Sequence, residues 1–248
     1  MLLDKVTAPS SPISSLPARE RVIVALDVSD SSAALEIAGA LRGFVQWFKV
    51  GLELYLSAGN QIVHALKGRG CSVFLDLKLH DIPNTVAGAV RSAASAGADM
   101  LTLHASGGPA MLAAAAEAAA KLESAPKLLA VSVLTSMDAA QLQSIGVSSS
   151  PAEQVLRLAG LASEAGISGL VASSEEVASL RASFPNFTLV IPGIRPAGSS
   201  VGDQKRVATP AAAIRAGADY LVIGRPITAA ADPKKAAQDI MKSLVASR

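Results

Sequence analysis

Cysteine is almost missing from this chain. Cys71 is the only one in 248 residues, which excludes an intramolecular disulfide and a thiolate zinc site. It could serve as a nucleophile, although a small buried filler beside a strand is the plainer reading. Aromatic residues make up 3% of the chain. That leaves no stacking platforms for single-stranded nucleic acid, and the core has to come from Ala, Val, Leu and Ile. Charge of one sign is also lacking, because 22 Lys and Arg face 20 Asp and Glu, for a formal net charge of +2. Without a basic stripe, nucleic acid is not expected as a partner. No apolar run approaches the ~18 residues of a membrane helix. Asp4 falls where a secretory signal would need its apolar core. These absences predict a soluble, cytoplasmic protein that does not engage membranes.

What is present is hydrophobic and regular. Half the residues are hydrophobic, ample for one large core. Residues 7–20 are rich in Ser and Pro, so residues 1–20 read as a loose tail ahead of a single domain over 21–248. Short β-branched or aliphatic runs recur at 22–28, 47–52, 74–79, 100–105, 128–135, 169–173, 188–194 and 220–224. Helical patterns stand between them, at about 32–41, 58–67, 85–96, 109–123, 138–144 with 152–165, 175–184, 209–216 and 233–246. The sequence Ala-Gly-Ala-Asp at 96–99 returns at 216–219, with Ala-Gly-Ile-Ser at 165–168 as a weaker echo, each between a helix and a strand. Glycine suits a helix C-cap at such points. Apolar strands alternating with helices indicate a parallel sheet covered on both faces. Eight repeats without a linker predict a closed (β/α)8 barrel, the α/β fold called a TIM barrel. An open doubly wound sheet is the alternative, but no G-x-G-x-x-G follows the first strand.

Active sites of such barrels lie at the carboxyl ends of the strands, and the polar residues collect there. Asp27 ends the first strand, Lys49 lies on the second, His104 ends the fourth and Thr135 the fifth. The densest stretch is 74–85, Phe-Leu-Asp-Leu-Lys-Leu-His-Asp-Ile-Pro-Asn-Thr. Strand alternation puts Phe74, Asp76, Lys78 and His80 on one face and three leucines on the other. Ile82-Pro83 should stop the strand, and Asn84 is a fitting N-cap for the helix that follows. Asp76 and Lys78 read as an acid–base pair at a reaction centre, or else as a structural ion pair. The Arg195 and Gly224-Arg225 stretches fall after strands seven and eight, where barrels often bind phosphate. Gly224 would admit a close approach and Arg225 a forked grip. The long loop from Arg195 to Val207, which contains Gln204, reads as a lid. His80, His104, Asp76 and Asp81 could hold a divalent ion. Lys49 and Lys78 in the same cluster would repel one, so no metal site is expected. His64 reads as structural, and Glu53 carries no distinctive signal.

Together these segments resemble the orotidine 5′-monophosphate decarboxylase family. The motifs are Asp76-Leu-Lys-Leu-His-Asp-Ile-Pro-Asn-Thr85, Ala-Leu-Asp27, Phe-Lys49-Val-Gly, Val-Leu-Thr135-Ser, Pro-Gly-Ile-Arg195-Pro, Gly-Asp-Gln204 and Ile-Gly-Arg225-Pro. They run in order across the chain beyond about residue 20. The family often carries Phe where this chain has Leu79. The resemblance implies decarboxylation of orotidine 5′-monophosphate to UMP in pyrimidine biosynthesis, without a cofactor. By the same resemblance Lys78 is the proton donor to C6 of the pyrimidine, with Lys49, Asp76 and Asp81 completing a charged network. Asp27 would bind the ribose, Thr135 the pyrimidine region, and Arg195, Gln204, Gly224 and Arg225 the phosphate and base. Asp81 and Thr85 would reach into the partner's site, which implies a homodimer. Two other readings stay open. One is a magnesium-dependent 3-hexulose-6-phosphate synthase or keto-gulonate-phosphate decarboxylase of the same superfamily. The other is a non-catalytic barrel that binds nucleotide phosphate.

Overall fold

The computed structural model describes residues 16–196 and 208–245. Eight parallel strands close into a barrel in chain order, each followed by one or more helices. They are β1 (Val22–Ala25), β2 (Trp47–Gly51), β3 (Ser72–Leu79) and β4 (Met100–His104), then β5 (Lys127–Val131), β6 (Gly169–Val171), β7 (Thr188–Ile191) and β8 (Tyr220–Ile223). The expected (β/α)8 barrel is therefore the observed fold.

Two apolar cores follow from strand alternation. One face of each strand packs outward on the helices, as Val22, Val24, Phe48, Val50, Leu101 and Leu103 do. The other face fills the barrel, with Ile23, Ala25, Phe74, Met100, Leu129, Val190, Tyr220 and Val222. Trp47 meets Tyr220 edge-on at 5.7 Å beside this inner core. Two residues further along their strands, the inward positions of β2, β3 and β4 are Lys49, Asp76 and Thr102. The hydrophobic filling thus gives way to polar groups at the carboxyl end.

The repeated Ala-Gly-Ala-Asp has a structural reason. Asp99 and Asp219 each stand just before a strand and accept the backbone N–H of the preceding strand, from Val73 (2.7 Å) and Leu189 (2.8 Å) respectively. Each also pairs with a cation from the helix before that strand, Lys67 for Asp99 and Arg181 for Asp219. Asp219 is the more buried of the two. Asp219→Ala would leave the Leu189 amide and the Arg181 guanidinium short of an acceptor. A destabilisation of about 2–4 kcal/mol is expected in urea unfolding, and a change below about 1 kcal/mol would show the pair to be ornamental.

Local structure departs from the sequence reading in several places. The helix expected over 58–67 is Asn60–Lys67, and a further helix that the sequence reading did not include, Leu52–Ala58, stands before it across Gly59 with φ 57°. Asn84 is not an N-cap: Ile82 caps the helix Pro83–Ser95 without a side-chain bond, and Pro83 takes the first turn. Proline has no N–H to satisfy there and its φ is preset. A short helix, Arg225–Thr228, follows β8 where only a loop was expected. The residues before β1 include another, Ala18–Arg21, whose Arg21 donates to the backbone carbonyls of Ala218 and Asp219. The tail residues 1–15 lie outside the described residues.

Candidate active site

A further departure lies in the 74–85 stretch. β3 pairs with β4 at Leu75–Leu101 and again at Leu79–Leu103, so four residues of β3 advance against two of β4. This bulge ends the simple alternation expected over Phe74 to His80. Within it Lys78 has φ 50°, the only described non-glycine residue in the left-handed region. Such a conformation costs on the order of 1–3 kcal/mol and persists only where neighbours enforce it. The result is a close pair: Lys78 Nζ sits 2.9 Å from both carboxylate oxygens of Asp76.

The pair belongs to a chain of alternating charge. Lys49 Nζ bonds Asp27 Oδ1 at 2.8 Å and lies 3.7 Å from Asp76 Oδ2. The inner members are nearly closed to water, with side chains 11% exposed for Lys49 and 12% for Asp76, whereas Lys78 is 32% exposed and Asp27 61%. The rigid middle therefore holds two ends that can meet a ligand. Asp76 also accepts the Thr102 hydroxyl at 2.9 Å. Sequence reading passed over Thr102; the available signal was a polar residue on the inward register of Met100 in an apolar strand. Gly51 is needed beside this chain, since a Cβ there would come within 3.0 Å of Lys49 Nζ. Gly224 differs: a Cβ there would make only ordinary contacts at 3.6 Å, but the backbone takes φ −102° with ψ −110°. That combination lies outside the β and right-handed helical regions open to residues with a Cβ, so glycine at 224 supplies backbone freedom as well as room in the cavity.

A cavity of about 400 Å³ opens over these groups. Its lining includes the charged Asp27, Lys49, Asp76 and Lys78 together with Thr135, Arg195, Gly224 and Arg225, and the apolar Phe74, Val131, Val171 and Val222. Nine of the sequence-derived candidates need placing beyond Lys49 and Asp76, and most gather here. Thr135 lies past the end of β5, which stops at Val131. Arg225 opens the four-residue helix after β8. Ile194 pairs with Ala208, and the Arg195 amide bonds the Ala208 carbonyl at 3.0 Å, so both ends of the seventh loop are pinned together. Gln204 lies outside the described residues.

Asp81 and Thr85 are not brought to this cavity. Both are exposed, and the Asp81 carboxylate accepts the adjacent Ile82 amide at 2.6 Å. His80 and His104 lie with ring centroids 5.5 Å apart. Burial pushes the His104 imidazole below its usual range, and the nearby His80 and Lys78 charges add to that. Among the described residues, no group of three or more His, Cys, Asp or Glu is placed to hold a metal ion. Burial raises the Cys71 thiol, which disfavours a thiolate nucleophile there.

Fold and cavity together define a (β/α)8 barrel with a charged pocket at the carboxyl ends of its strands, where enzymes of this fold carry their active sites. A family model described as "Orotidine 5'-phosphate decarboxylase / HUMPS family" matches residues 20–240. The chain belongs to this family. It is 52% identical to the orotidine 5′-phosphate decarboxylase of Halorhodospira halophila, over 94% of this chain and 99% of that one. It is 53% identical to the enzyme of the same name from Moorella thermoacetica, over 90% and 91%. The crystal structure of orotidine 5′-phosphate decarboxylase from Lactobacillus acidophilus superposes with a TM-score of 0.80 at 38% identity, covering 91% of this chain and 99% of that one.

Proposed function

We infer that the protein decarboxylates orotidine 5′-monophosphate to UMP and CO2, a step of pyrimidine biosynthesis. The observation that carries this reading is the Asp27–Lys49–Asp76–Lys78 chain ending on a lysine that faces the cavity. Breaking the bond between C6 and the carboxylate leaves an electron pair on a ring carbon with no adjacent carbonyl to take it up. The Lys78 ammonium offsets that developing charge and then transfers its proton to C6, which gives UMP. Asp76 holds Nζ in place, and Lys49 braces Asp76 from the other side. Asp76 would also face the substrate carboxylate, and Asp27 the ribose. Arg195, Gln204 and Arg225 take the phosphate and base, with Gly224 leaving room and Thr135 beside the ring. Binding energy from the remote phosphate can then be used at the reacting carbon.

The family name also covers HUMPS proteins, so the magnesium-dependent sugar-phosphate reading has to be met. Lys49 Nζ occupies the space between Asp27 and Asp76, where an ammonium excludes a second cation. The decisive assay follows loss of the orotate ultraviolet absorbance when orotidine 5′-monophosphate is added in the presence of EDTA. Turnover that survives EDTA is expected. Turnover that needs magnesium, or none at all, overturns the reading.

We further propose a homodimer in which Asp81 and Thr85 of each subunit serve the neighbouring site. Its support is their exposure at the cavity end of the barrel, beside Ile82, which is 67% exposed. Leu52 and Leu56, one helical turn apart after β2, are also exposed at that end. No helix among the described residues is long and apolar enough to cross a membrane. With a single cysteine and a nucleotide precursor as substrate, the cytoplasm is the compartment we propose.

A further inference from the structure

We infer that Thr102 is a positioning residue for the decarboxylation, its hydroxyl holding both the Asp76 carboxylate and the backbone of Lys78. The inference rests on the functional reading above. Thr102 Oγ1 lies 2.8 Å from the Lys78 amide nitrogen and 2.9 Å from Asp76 Oδ1. An amide can only donate and a carboxylate can only accept, while a hydroxyl does both. The bond directions are therefore fixed: Lys78 N–H donates to Oγ1, and the Thr102 O–H donates to Asp76. Thr102 has no exposed surface, so water cannot compete for either bond.

The bulge explains why a side chain is needed. Between the Leu75–Leu101 and Leu79–Leu103 pairs the ladder loses register, and the Lys78 amide turns to a β4 side chain for its acceptor. Thr102 is the β4 residue between those two points. Its branched Cβ restricts the hydroxyl to few directions. The same oxygen that satisfies the left-handed backbone of Lys78 thus also orients the carboxylate that grips Nζ. Thr102 does not line the cavity, so it acts through its two partners and not on substrate.

Thr102→Val keeps the shape and removes both bonds. Its kcat for orotidine 5′-monophosphate is expected to fall about 10- to 100-fold, with KM within about threefold because the phosphate and base contacts sit on other strands. Thr102→Ser keeps the hydroxyl and is expected to recover most of that loss. If the valine protein does not fold, Thr102→Cys, a weak donor of similar size, takes its place in the comparison with serine. Equal kcat in the parent and the valine protein, or equal losses in valine and serine proteins, would assign Thr102 to packing and overturn the inference alone. A parent without decarboxylase activity overturns the functional reading, and the inference falls with it.

Discussion

Lys78→Ala is expected to lower kcat for orotidine 5′-monophosphate by roughly 10⁴- to 10⁷-fold, the product of a lost general acid and a lost charge at the reacting carbon. Binding of the product UMP should stay within about tenfold, because the phosphate grip lies elsewhere and that interaction is common to ground and transition states. The geometry supports this division of labour. Lys78 reaches the cavity from β3, and Arg195 and Arg225 reach it from the loops after β7 and β8. The substitution should leave the remainder of the chain in place, since Asp76 keeps the Thr102 hydroxyl at 2.9 Å and Lys49 at 3.7 Å. Titration of the variant with UMP reports folding and the phosphate site together, so inactivity with intact binding isolates the chemical step. A variant that keeps more than about a hundredth of the parental kcat would mean that Lys78 is not the proton donor, as general acid catalysis alone supplies that much. Full retention would favour a role for the barrel as a binder.

Much of this arrangement was legible in the sequence, for reasons that are local. Strand and helix periods alternate eight times, and a parallel barrel is what such alternation builds. The charges at Asp27, Lys49 and Asp76 sit near strand ends, and the fold brings those ends together. The parts that were not legible depend on contacts between distant segments. The bulge in β3 exists because of its pairing with β4, 24 to 26 residues away, and nothing in Leu-Asp-Leu-Lys-Leu marks it. Lys78 is a poor candidate for positive φ on its own preferences; the strand pairing and the Thr102 hydroxyl impose it. The same holds for Thr102, a residue type at home in any strand. At Gly59 and Ile82 the misreading was of a different kind. The helix Leu52–Ala58 follows directly on β2, where the apolar run 47–52 was read as strand to its end, and Pro83 outweighs Asn84 in setting the helix start because its fixed φ already suits the first turn.

The strongest test of the shared site mixes two inactive proteins. Asp81→Ala and Lys78→Ala are each expected to be inactive alone, yet a mixture allowed to exchange subunits should recover about a quarter of the parental specific activity. The figure follows from dimer symmetry: random exchange makes half the dimers mixed, and each mixed dimer has one site with Lys78 and Asp81 both intact and one with neither. The physical motive is the charge chain. It alternates from Asp27 through Lys49 and Asp76 and stops on Lys78, which is partly open to the cavity. A further carboxylate beside Lys78 would continue the alternation, yet the chain's own Asp81 is turned away to the Ile82 amide. A second subunit docking over the exposed Ile82, Leu52 and Leu56 would bring its Asp81 to that end of the barrel. Size-exclusion chromatography of differently tagged proteins shows whether exchange occurred. Verified exchange without recovery would sink the shared site, as would an Asp81→Ala protein that is fully active by itself. Thr85→Ala mixed with Lys78→Ala then asks whether the second exposed residue also crosses, with the same quarter expected if Thr85→Ala is inactive alone.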